Sequence, residues 1–251
     1  MIAALSDIWR AATTASPPPA TSLVLAAAAA ALLAAVWRPA WGVVRHGVTT
    51  VHEASHLLVA ALTGRQILGI RLHSDTSGLA LSKGRPRGPG MILMSAAGYT
   101  GPGVVGLAAA FGVGRGYDVG VLWALVVLAL FVLLMIRNWY GLWTILVTLA
   151  LLGALTWWGT PEIHAFAAHT VALVLLLGAV RAVVELGLSR RGGRGRSSDA
   201  DALGRLTGLP GGVWVALFVV VTAACLALGA WWLVGPTLAG VADAAANLLP
   251  R

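Results

Sequence analysis

The chain has 251 residues, of which 59% are hydrophobic and only 10% charged; soluble domains carry about 25% charged residues, so the composition excludes a soluble globular fold and indicates a polytopic membrane protein. The formal net charge of +8 would suit nucleic acid in a soluble chain, but arginines flanking apolar runs answer to membrane orientation and anionic headgroups, so the expected surroundings are a lipid bilayer and no nucleic acid. One cysteine, Cys225, excludes an intrachain disulfide and any cysteine-based metal cluster.

Residues 1–20 read as a short, partly polar segment, with Trp9 and Arg10 suited to an interface. Pro17, Pro18 and Pro19 separate it from the first apolar run, unlike a cleavable signal peptide. A first span is expected from about Thr21 to Trp37, Ala/Leu-rich and long enough to cross, and Arg38-Pro39 breaks it. A second runs from about Ala40 to Leu62 and ends at Thr63-Gly64-Arg65. Residues 66–83 change character: loose alternation about the turn residues Asp75-Thr76-Ser77-Gly78 predicts a short β-hairpin. Its exposed edge is suited to receive an extended peptide strand.

Lys83 to Gly90 form a basic turn. The third span, about Met91 to Val113, holds the small-residue run Ala96 to Gly103, which permits close helix approach. Further spans are expected at about Val119–Ile136, Tyr140–Trp157 and Ile163–Val184. Ser189 to Ser198 is an arginine- and glycine-rich linker, and Asp199 to Leu206 a short helix capped by Ser198 or Asp199. A last span at about Gly211–Val234 precedes a short interfacial tail helix from Gly235. The expected fold is thus all-α, about seven transmembrane helices with one hairpin, in a single domain over residues 1–251.

The chemistry concentrates in His52-Glu53-Ala54-Ser55-His56, an H-E-x-x-H pattern inside the second span. On a helix, positions i and i+4 share a face, so two imidazoles can meet one metal ion while Glu53 stands beside them to take a proton from its water. Ionisable side chains in a membrane helix are costly and mark function. A packed histidine pair would leave Glu53 without a reason to be there. A catalytic zinc usually takes three protein ligands, and the downstream candidates for the third are Asp75, Asn138, His164, His169, Asp199 and Asp201. Asn138, at a span boundary, is a possible site-lining residue or oxyanion donor, or a helix cap. A transporter or an inactive scaffold could use the same buried groups, but a scaffold has no need of Glu53.

Orientation follows from arginine and lysine. With a cytoplasmic N-terminus, the connections 64–90, 137–140 and 185–209 share the cytoplasmic side and most of the positive charge. His56 then lies about 12 Å below that surface, at 1.5 Å per residue.

These residues carry a resemblance. H-E-A-S-H in a transmembrane helix, a hairpin after it and a Gly/Pro-rich third span resemble the site-2 protease class of intramembrane zinc metalloproteases. Ser197-Ser198-Asp199-Ala200-Asp201-Ala202-Leu203 resembles the S-D-A-x-x-L element of a compact bacterial branch. The Ala/Gly/Arg bias with a single lysine agrees with a GC-rich bacterial genome. The resemblance implies one Zn2+ held by His52, His56 and, by position, Asp199, with Asp201 as the second choice. It further implies Glu53 as the base, a transmembrane protein as the substrate, and a multi-pass protein of the cell membrane with its site toward the cytoplasm.

Overall fold

A computed structural model describes residues 2–191 and 198–248. The elements in order are α1 (Ile2–Thr13), α2 (Thr21–Val36), α3 (Arg38–Leu62), β1 (Gln66–Leu72), β2 (Gly78–Lys83), α4 (Pro89–Val113), α5 (Asp118–Met135), α6 (Trp139–Trp158), α7 (Pro161–Arg191), α8 (Asp199–Thr207) and α9 (Gly211–Leu248). Residues 192–197, which include Arg194, Arg196 and the first serine of the S-S-D-A stretch, lie outside the described residues.

Among the described residues, five helices are long and apolar enough to cross a membrane, or six if the bent pair α2 and α3 forms one broken span. The expected seven gives way at that pair. Trp37 leaves α2 in extended backbone and Pro39 occupies the first turn of α3, where a proline fits because no intrahelical donor is needed. The axes meet at 95°. From α7, Arg181 holds the elbow: its guanidinium donates to the Ala35 carbonyl at the end of α2 and stacks over the Trp41 ring at 4.5 Å.

α2 runs alongside α7 in the same direction. Ser22 and Leu23 flank Glu162 and Ile163 at the two helix starts, and Ala35 reaches Arg181 further on. Residues 2–20 therefore sit at the far end of the bundle from the hairpin, where the Ser16 amide donates to the Gly116 carbonyl before α5. A shared side for the N-terminus and the 64–90 connection is thereby corrected. One smaller expectation also changes: the tail from Gly235 continues α9 with Pro236 inside it; glycine and proline are tolerated in membrane helices.

α4 is the central helix. The middle of its buried face, between Ser95 and Val113, is Gly98, Gly101, Pro102, Gly103, Gly106, Ala109 and Ala110, small residues that let neighbouring backbones close in. At Gly106 a methyl would lie 3.0 Å from the Leu176 amide of α7. The outward sides of α5, α6 and α9 expose large apolar side chains such as Leu134, Trp143, Leu151 and Val220, as lipid-facing surfaces do.

The predicted hairpin is present, its strands antiparallel with a bulge between Ile67 and Gly69. Asp75 accepts from the Ser77 amide at 2.9 Å and shapes the turn. Gly69 has φ of 136° and lies so close to Met135 and Arg137 that a side chain there would collide with both. That contact brings the α5–α6 connection onto the outer edge of β1. Ile136 bridges Ile70, the Arg137 amide donates to the Ile70 carbonyl at 2.8 Å, and the Asn138 side chain pairs with the Leu72 backbone. The outer edge of β1 is covered, while β2 borders a cavity.

Candidate metal centre

His52 and His56 lie one turn apart on α3, with their Nε2 atoms 3.2 Å from each other. His56 Nδ1 is 2.7 Å from the Met94 carbonyl oxygen; a carbonyl can only accept, so Nδ1 carries the proton and Nε2 offers its lone pair. Both Nε2 atoms stand 3.2 Å from Asp199 Oδ2. The three ligand atoms thus form an almost equilateral triangle. Three corners of a tetrahedron with bonds of about 2.0–2.1 Å lie about 3.3–3.4 Å apart. Two imidazole nitrogens and one carboxylate oxygen at this spacing fit a zinc ion with a fourth position open. Among the described residues this is the cluster of three potential ligands whose atoms all lie within 4.8 Å.

Asp199 reaches the pair because α8 is docked and capped without it. Ala200 and Leu203 are buried against Val183, Leu186 and Phe218. The cap is Ser198 with Asp201 in a reciprocal box: Asp201 accepts from the Ser198 amide at 3.2 Å and pairs with Arg190. With the cap filled, Asp199 faces α3.

Glu53 is buried beside the triangle. Its carboxylate accepts from the Ala80 amide of β2 and packs so tightly on Gly78 that a methyl there would sit 2.7 Å from Oε1. α4 approaches from the other side. A methyl on Gly98 would collide with His56 Nε2 and lie 2.6 Å from His52 Nε2. Next to it, Tyr99 meets His52 edge-on, ring centroids 4.7 Å apart, and stacks on Phe218 of α9 at 5.4 Å. His52, Glu53, His56, Tyr99 and Asp199 line a cavity of about 690 Å³ with Arg45, Thr49, Ser95, Glu185 and the Thr76–Ala80 stretch of the hairpin.

The remaining candidates fall elsewhere. Asn138 does not line the cavity among the described residues, which corrects the site-lining and oxyanion reading: both ends of its amide are committed to Leu72, donating to the carbonyl at 2.6 Å and accepting from the amide at 3.1 Å. Asp201 is likewise outside the cavity, held by Arg190 and Ser198. Asp75 stays in its turn. His164 hydrogen-bonds the Leu155 carbonyl, and His169 is buried near Asp118 at 3.8 Å. No motif marks Gly98 and Tyr99 as site residues; their one signal in the sequence is an aromatic residue set among small ones from Ala96 to Gly103.

A family model for Peptidase M50B-like proteins matches residues 25–229. The chain belongs to this family. No curated protein and no solved structure gives a match. The match spans α3, the hairpin, α4 and α8, so every group described around the triangle lies inside it. Peptidase M50B-like proteins belong to the site-2 protease family, whose members are zinc metalloproteases, and the donor set of this chain agrees with that metal.

Proposed function

We propose that the protein is an intramembrane zinc endopeptidase that hydrolyses peptide bonds of membrane-embedded or membrane-anchored proteins. The observation that carries the reading is the triangle of His52, His56 and Asp199, with Glu53 at its side, in a cavity bordered by a strand edge. Those three residues would hold a zinc ion, which would lower the pKa of a bound water toward about 7 and polarise the scissile carbonyl. Glu53 accepts the water proton as the water oxygen adds to the carbonyl carbon, then returns it to the leaving amine as the C–N bond breaks. Burial and the Ala80 amide hold the Glu53 carboxylate in place. A substrate helix must unwind first, because its peptide bonds are already hydrogen-bonded; pairing with β2 offers the freed strand a partner.

The proposed setting is the cell membrane, with the site toward the cytoplasm. Support comes from the arginines and lysine at that end, including Arg65, Arg71, Lys83, Arg85, Arg87, Arg137, Arg190 and Arg191, against Arg10 and Arg115 at the other. The decisive experiment is Glu53→Gln in purified protein with a membrane-anchored peptide substrate. Zinc content should stay at one per chain while cleavage is lost. Unchanged cleavage would overturn the mechanism.

A further inference from the structure

Cleavage by this route builds negative charge on the former carbonyl oxygen, and a donor aimed at that oxygen is worth much of the rate. Asn138 is committed to Leu72, so the donor must come from the cavity wall. Most hydroxyls there are already used. Thr49 donates to the Thr76 carbonyl, Ser77 to Asp75, Ser189 to the Leu186 carbonyl and Ser198 to Asp201. Arg45 faces Glu185 at 3.4 Å. Three hydroxyls remain without a hydrogen-bond partner among the described residues: Thr76 in the hairpin turn, and Ser95 and Tyr99 on α4.

Tyr99 differs from the other two in its position. Its ring lies edge-on against His52, and the preceding residue, Gly98, is where α4 comes closest to both metal-facing nitrogens. The stack on Phe218 fixes the ring plane from behind. Tyr99 lines the same cavity as Glu53 and Asp199. We propose that Tyr99 is a catalytic residue, donating a hydrogen bond from its hydroxyl to the oxyanion of the tetrahedral adduct at the scissile carbonyl. The assignment rests on the peptidase reading and adds a residue to it. No proton is transferred in the step: the Tyr99 O–H bond stays intact while the adduct forms and collapses, and Glu53 alone moves the water proton.

The test uses the full chain in detergent, loaded with zinc, and compares wild type, Tyr99→Phe, Ser95→Ala and Glu53→Gln. Phenylalanine keeps the ring against His52 and Phe218, so a purely structural role predicts little change. Zinc per chain, kcat and KM are measured, together with affinity for a phosphinic peptide, which mimics the tetrahedral adduct, and for a peptide hydroxamate that mainly chelates the metal. Tyr99→Phe should keep one zinc, KM and hydroxamate affinity, while kcat and phosphinic-peptide affinity each fall about 100-fold; Ser95→Ala should show the smaller loss. An unchanged ratio of the two inhibitor affinities in Tyr99→Phe, or a loss carried by Ser95→Ala instead, overturns the assignment. Cleavage by wild type no faster than by Glu53→Gln overturns the peptidase reading, and the inhibitor ratio still reads Tyr99 separately.

Discussion

One hydrogen atom at position 98 keeps the histidine nitrogens free. Alanine is a better helix former than glycine by about 1 kcal/mol, so in an ordinary helix Gly98→Ala would stabilise. Here the added methyl occupies the space in front of both Nε2 atoms, and the expected outcome is a folded protein with little zinc, read by metal analysis beside circular dichroism. Retention of a full zinc complement would mean that α4 can back away. Asp199 and Asp201 separate in the same assay. Asp199→Ala removes a proposed ligand and should deplete zinc, whereas Asp201→Ala removes a cap partner, costs about 1 kcal/mol and should leave the metal bound; the reverse result would reassign the ligand. His52, Glu53 and His56 could be read from spacing alone, because helical periodicity dictates which side chains share a face. Asn138 could not. Its partner is a backbone group 66 residues away, and an amide at a span boundary gives no sign of which backbone it will meet.

The hairpin shows how a marginal element is made dependable. Two strands alone are barely stable in water, but β1 is covered on its outer edge by residues 136–138. Asn138→Ala deletes two hydrogen bonds, a loss of about 1–3 kcal/mol. The expected result is faster amide exchange across 66–83 and a raised KM, with zinc unchanged. Exchange at the wild-type rate would show that Ile136 and Arg137 hold the edge without it. The turn chemistry at Asp75–Gly78 made this element legible. The covering of its edge was not, since it comes from a connection two spans later. α9 runs past its expected end for a related reason: Gly235 and Pro236 signal a break in water, and much less so in a bilayer.

At the scale of the whole molecule, the number of crossings turns on one elbow. α2 and α3 each look like a span, and no local rule predicts a 95° bend stabilised by an arginine 146 residues downstream. The arrangement puts residues 2–20 at the opposite end from the hairpin and α8. Single cysteines at Thr14, Arg85 and Arg191 in a Cys225→Ser background should therefore label from opposite faces, Thr14 from one and the other two together from the other. Labelling of Thr14 and Arg85 from the same face would restore two full crossings for α2 and α3.

The distance along the chain between His56 and Asp199 also has a consequence in time. At about 5–20 residues per second, a ribosome finishes the histidine helix roughly 7–30 s before it makes the aspartate. Through that interval the nascent chain holds two of its three proposed ligands, and the arginine that fixes the elbow arrives almost as late. A chain cut short anywhere between α3 and α8 keeps its whole H-E-x-x-H helix and still lacks the third corner of the triangle. Synthesis itself thus withholds the complete centre until nearly all of the bundle is in the membrane.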